Sequence, residues 1–176
     1  MGRKPPAGIF EPKRSGKAGR MRLAGTVAAA VFAVDQISKY VVVHALGLSQ
    51  VLAINVVPPY LNFRMAWNRG VNFGLFANDA EVMRWLLIAV ALAIALWVWL
   101  WVRHEPHSVT VKVAAGLLVG GALGNVIDRV LYGAVADFLN MSCCGIENPF
   151  AFNVADVSIF AGALGLLVFA GRAKTP

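Results

Sequence analysis

The sequence predicts an all-α membrane protein: four transmembrane helices, with a small extracytoplasmic β-sheet between the first and the second. Three observations predict it. Hydrophobic residues make up 59% of the 176 and charged residues only 14%, where a soluble domain carries about a quarter, and the mean hydropathy is +0.67. Four apolar segments, at about 23–46, 82–102, 109–131 and 155–171, can each be stretched toward the ~20 residues that cross a bilayer core. One loop between them, about 50–76, alternates in polarity like a strand.

The chain opens on a basic extension, 1–20, read as disordered from its Pro, Gly and Lys content. Seven of the sixteen Lys and Arg lie before residue 23. Ahead of an apolar run this block reads as a topology signal rather than a nucleic-acid contact. Met21-Arg22, just before that run, marks an alternative start. The first segment is uncharged only over 23–34, which resembles a cleavable signal peptide. The apolar pattern resumes at Tyr40-Val41-Val42-Val43, so a retained helix is the reading. The second segment is uncharged after Arg84. The third carries Gly116, Gly120 and Gly124 at four-residue spacing, a small-residue stripe for close helix approach. Residues 21–172 form one membrane domain on this reading, and 173–176 a tail.

Charge counting orients the chain. With four spans the termini share a side with the 102–112 loop, and that side holds eleven Lys and Arg. The two longer loops carry only Arg64 and Arg69. Both termini are therefore cytoplasmic. In the first outer loop, Leu61, Phe63, Met65 and Trp67 alternate with Asn62, Arg64, Ala66 and Asn68. Pro58-Pro59 marks the start of this strand, "NRG" at 68–70 offers a turn, and "VNFGLF" a return strand. Adjacent Cys143 and Cys144 give no disulfide framework. "HEPH" at 104–107 lacks the spacing of a helical zinc site and reads as a polar loop.

The polar residues inside apolar runs need a reason. Asp35 and Lys39, four apart, share a helix face. Gly121, Asn125 and Asp128 fall on one face of the third segment, with Arg129 beside them. A polar cluster that only fixes helix register is the plainer account of these residues. Gly133 supplies a left-handed helix end, and Asp137 follows it. Asn153 reads as an N-cap with Asp156 at the third helical position, so Asp156 is as much a cap as a catalyst on local sequence. The loop from the third to the fourth segment brings Asp137 and Asp156 together at the outer membrane boundary. Two close carboxylates share a proton, so one can deprotonate a water while the other serves the carbonyl. That chemistry needs no metal, cofactor or covalent nucleophile.

Four motifs occur in order: "DQISK" at 35–39, "NRGVNF" at 68–73, "GGALGNVIDRVLYGAVADF" at 120–138 and "FNVAD" at 152–156. Together they resemble lipoprotein signal peptidase (signal peptidase II), an integral aspartyl peptidase of the bacterial inner membrane. The resemblance covers nearly all of 21–172. It implies cleavage of diacylglyceryl-modified prolipoproteins just before the lipidated cysteine; the chain is read as a monomer among membrane lipids with its active site facing the periplasm. The resemblance implies that Asp137 and Asp156 are the catalytic dyad. It also implies that Asp35, Lys39, Asn68, Gly70, Gly121, Asn125, Asp128, Arg129, Asn153 and Ala155 shape or support the site. The strand-rich loop resembles the family's substrate cradle, and the family is the target of the cyclic peptide globomycin. Asn72 departs from the pattern, which carries a small apolar residue there. The helix dipole makes Asp156 the expected base and leaves the shared proton on Asp137. The rival readings are an ion or proton carrier using the intramembrane Asp, Lys and Arg, and a scaffold whose polar residues only fix packing. The apolar cytoplasmic halves of the last three helices weigh against a carrier.

Overall fold

The computed structural model describes residues 17–70, 80–104, 107–145 and 147–171, with the side chains of 17–20 and 80 outside the description. The "VNFGLF" stretch and Asn72 therefore lie outside the described residues, as do the basic residues before Lys17.

Helix α1 (Lys17–Lys39) continues without interruption into a π-helical segment, Tyr40–Ala45. The wider turn is visible in the Leu46 N–H, which donates to the Val41 carbonyl five residues back at 2.8 Å. Gly47, with φ of 67°, reverses the chain into a one-turn helix, α2 (Leu48–Val51). Strands β1 (Ala53–Val57) and β2 (Leu61–Asn68) follow. Next among the described residues come α3 (Ala80–His104), α4 (Val109–Tyr132), β3 (Val135–Asn140) and α5 (Val154–Phe169). Helices α1 with its π extension, α3 and α4 are long and apolar enough to cross a membrane. The expected fourth span is a shorter apolar helix. At 1.5 Å per residue the 16 residues of α5 reach about 24 Å, short of a ~30 Å hydrocarbon core.

Helix α4 is the centre of the bundle and packs on α1, α3 and α5. Its small residues make that possible by facing two ways. A Cβ at Gly116 or Gly120 would meet Ala24, Val27 or Ala28 of α1, and one at Gly121 would meet the Ala155 carbonyl of α5. Buried Ala95, Val98, Ala115, Leu118 and Val119 fill the space between α3 and α4. At the other end, Val42, Leu48 and Phe138 form a second core with Ile54, Phe63 and Met65, so the sheet is seated on the extension of α1.

The strand expected over 61–68 is β2, while its expected return strand lies outside the described residues. The order of the sheet is β1-β2-β3, all antiparallel. Pro58-Pro59 lies in the turn that joins β1 to β2 and leads directly into β2. The partner on the far side of β2 is β3, which holds Asp137. The sequence predicts a loop over that segment because it has no alternation to detect: five of its six residues are buried, whichever face they point to. The apolar face of β2 is also interrupted. Phe63 and Met65 join the core, but the register slips between Phe63 and Ala66, and Trp67 is exposed and stacks on Tyr132 at 5.8 Å.

Candidate active site

Two groups of polar side chains meet where the C-terminal ends of α1 and α4 and the N-terminal end of α5 reach the sheet. The first is an ion-paired trio. The Lys39 ammonium lies 2.7 Å from Asp35 and 2.8 Å from Asp128, and all three side chains are buried. A lone charge at such depth is costly, and pairing across two helices offsets much of that cost. The spare lone pairs are satisfied too. Asp35 accepts from the Ala155 N–H of α5 at 2.9 Å, Asp128 from the Ala136 N–H of β3 at 3.2 Å. Gln36 donates to both carboxylates at 3.1 Å. The trio thus ties α1, α4, β3 and α5 into one frame. Gly124 makes room for it, since a Cβ there would stand 2.5 Å from Asp35.

The second group is built on amides. Asn153 caps α5 in a full capping box: its side chain accepts from the Asp156 N–H at 2.9 Å, and Asp156 accepts from the Asn153 N–H at 3.2 Å. The Asn153 side-chain amide then donates to Asp137 at 2.6 Å and to Asn125 at 3.3 Å. Asn125 donates to Asp156 at 2.8 Å, and Asn68 to the other Asp137 oxygen at 3.1 Å. Lys39 reaches Asn125 at 3.5 Å, which links the two groups through a cation. Among the described residues neither Asp137 nor Asp156 has a salt-bridge partner; both ion pairs belong to Lys39. Burial, then the nearby Asp156 charge, raise the Asp137 carboxyl to about 6; the amides of Asn68 and Asn153 and the Lys39 charge pull the other way.

The remaining sequence candidates fall around these groups. Ala155 is fully buried between α4 and the trio, and Gly121 lets it approach. Gly70, with φ of 99°, donates its N–H to Asn68 at 3.0 Å and sits where a Cβ would strike Leu87 of α3. Arg129 donates from Nη1 to the Asn125 carbonyl at 3.1 Å, and Gly133 caps α4 with φ of 77°.

Sequence reasoning missed Gln36, although an amide inside an apolar helix next to Asp35 was signal enough. It also missed Asn140, which donates to the Asn148 and Phe150 carbonyls at 2.7 and 2.8 Å and shapes the loop leading to α5; nothing in the local pattern marks it. His104 ends α3 rather than lying in the expected loop, while His107 lies in that loop and packs against Trp101 with ring centroids 4.2 Å apart. Cys143 and Cys144 are free and exposed.

Comparison with known proteins gives a consistent picture. A family model described as Signal peptidase (SPase) II matches residues 27–171. A lipoprotein signal peptidase of Syntrophotalea carbinolica is 36% identical over 154 residues, covering 88% of this chain and 93% of that protein. One of Methylorubrum extorquens is 44% identical over 110 residues, covering 62% of this chain and 63% of its own length. One of Methylobacterium radiotolerans is 47% identical over the same length, again 63% of that protein. The chain thus spans under two thirds of these last two relatives. Among solved structures, a bacterial membrane enzyme determined by the in meso method at 1.9 Å superposes with a TM-score of 0.71 at 27% identity, covering 86% of this chain and 94% of that one.

Proposed function

The chain belongs to the signal peptidase II family of bacterial membrane proteins, and from that membership we propose that it is an aspartyl endopeptidase. On this reading it removes signal peptides from diacylglyceryl-modified prolipoproteins by cleaving just before the lipidated cysteine. The observation that carries the reading is the division of four aspartates into two kinds. Asp35 and Asp128 both pair with the Lys39 cation, whereas Asp137 and Asp156 accept from neutral amides. The lone pairs of Asp35 and Asp128 are committed to that cation and to backbone and side-chain N–H groups. Carboxylates held by amides keep free lone pairs and mutual repulsion, the conditions for sharing one proton.

The mechanism follows from that division. Each oxygen of the pair accepts one amide N–H, which leaves lone pairs for a water between them. Asp156, at the N-terminus of α5, is favoured as the ionised base. Asp137, raised to about 6, carries the proton. Asp156 takes a proton from the water as its oxygen attacks the scissile carbonyl carbon, and Asp137 protonates the carbonyl oxygen. The tetrahedral diol then collapses: the C–N bond breaks, Asp156 returns its proton to the leaving amine, and Asp137 recovers the proton of the diol hydroxyl.

In the same proposal α5 completes a four-span monomeric unit over 21–172, both termini are cytoplasmic, and the dyad faces the periplasm at the inner-membrane surface. Exposed Tyr40, Trp67 and Tyr132 at this end are the amphipathic rings that favour headgroup depth. A cyclic peptide of the globomycin type would compete for the same cleft. The test is cleavage of a diacylglyceryl-modified prolipoprotein by purified protein in detergent. Wild type should release the signal peptide, and Asp137→Ala and Asp156→Ala should each abolish release. Cleavage surviving either substitution rules out the dyad; an untouched substrate with wild type rules out the peptidase.

A further inference from the structure

A groove of about 410 Å³ runs down the bundle between α3, α4 and α5. Its walls are hydrocarbon: Leu87 and Ala91 of α3, Ala122 of α4, Ile159 and Ala163 of α5. Its upper end alone is polar, where Asn125 and Arg129 line it. Arg129 spends only Nη1, on the Asn125 carbonyl. Its Nη2 has no hydrogen-bond partner among the described residues, and its Nε is buried without one. The charges of Asp156, Asp137 and Asp128 act on this guanidinium, but a buried N–H donor left without an acceptor is still costly, and a ligand acceptor at the head of the slot would relieve that. Asn125 also donates to Asp156 at 2.8 Å, so the head of the groove lies one side chain from the proposed base.

We propose that this groove is the subsite for one acyl chain of the substrate's diacylglyceryl group, with Arg129 donating to the ester carbonyl at its head. The proposal rests on the peptidase reading and adds to it where the lipid goes. Size selects the occupant. From Leu118 to Arg129 the groove follows α4 for about 16 Å at the helical rise, and a signal-peptide helix at least 10 Å across would need roughly 1,200 Å³ over that length. The volume found is about a third of that and suits a single extended chain. Chemistry agrees, since no side chain below Asn125 offers a peptide group a partner. A second groove, of about 540 Å³ between α1, α3 and α4 and lined by Phe32, Leu96 and Trp99, has no polar head. It offers bulk lipid a surface but gives an ester carbonyl nothing to bind.

The experiment uses the full chain in detergent and a prolipoprotein whose acyl chains carry a diazirine near their ends. Photolysis should place adducts on α3 between Leu87 and Ile94 and on α5 between Ile159 and Ala163. Ala163 is exposed, so Ala163→Phe fills the slot without crowding the core. It should raise KM by about tenfold, the scale of a misfit in an apolar pocket, and the rise should vanish for a substrate with acetyl in place of long acyl chains. Ala29→Phe, in the second groove, should leave KM unchanged. Adducts confined to Phe32 and Trp99, or an unaltered KM for Ala163→Phe on the long-chain substrate, would overturn the subsite while leaving the peptidase standing. Failure of wild type to cleave at all would remove the peptidase reading, and this proposal with it.

Discussion

The side-chain amide of Asn153 donates to Asp137 at 2.6 Å, so the residue that starts α5 also orients a carboxylate on β3. One asparagine therefore does two jobs, which substitution can separate. Asn153→Ala loses both and should cost about 1–2 kcal/mol of stability from the lost cap, with kcat reduced by about a hundredfold. Asn153→Ser keeps an N-cap acceptor but cannot reach Asp137. It should recover most of the thermal stability and little of the kcat. Serine restoring both would show that the contact to Asp137 is incidental.

Lys39 faces two buried carboxylates at 2.7 and 2.8 Å. Lys39→Met leaves Asp35 and Asp128 without a counter-charge, and breaking a buried pair from one side costs about 3–5 kcal/mol. Thermal unfolding in detergent should show a large drop. Asp35→Asn together with Lys39→Met should recover part of it. A loss below about 1 kcal/mol, the scale of an exposed pair, would contradict the burial argument.

The Asp137 carboxyl, raised to about 6 by burial and then by the Asp156 charge, predicts two pH responses. Under the proposed mechanism, in which Asp137 holds the proton, it should give kcat an alkaline limb near pH 6, with activity falling as the proton leaves. For stability, a raised carboxyl pKa means that the folded state favours the protonated form. That contribution is complete below the ordinary value of 3.8 and is lost as pH rises through about 6. Asp137→Asn should flatten the stability profile across this window. A limb unchanged in position when Asn68 is replaced by Ala would argue against Asp137 as its source, because losing that amide should move the limb upward.

Gly120 stands where a Cβ would lie 2.5 Å from the Ala28 carbonyl and 2.9 Å from its Cα. Backbone cannot move aside as a side-chain tip can, so Gly120→Ala must push α1 off α4. The expected cost is about 1–3 kcal/mol. Gly171→Ala, with open space around the added methyl, should be neutral. Equal stability of the two variants would mean that the helices separate freely.

Local chemistry was legible wherever one residue decides the backbone. Gly133 announces the end of α4 and adopts φ of 77°; Asn153 and Asp156 spell out a capping box that forms in full. Small residues every fourth position on α4 correctly announced a close helix neighbour, though which one waited for coordinates: Gly116 and Gly120 meet α1, Gly121 meets α5. What depends on three-dimensional partners was not legible. Strand β3 exists because β2 offers it an edge, and its own six residues carry no periodic signal. The gathering of Asp35, Lys39 and Asp128 into one trio spans two helices, and only Asp35 and Lys39 share a visible spacing. Gln36, bonded to both acids, faces them only because α1 and α4 touch.

The π-helical segment at Tyr40–Ala45 has a mechanical consequence. One surplus residue in a helical turn rotates everything downstream by roughly 100° relative to an unbroken α-helix. Here that rotation buries Val42 and Val43 side by side and aims the chain at Leu48 and Phe138. The angular phase of the sheet is thus set independently of the phase that points Lys39 at its acids. Shortening this stretch by a single codon would keep α1 in the bilayer but swing the hairpin away from β3, leaving an intact anchor beneath a misaligned roof.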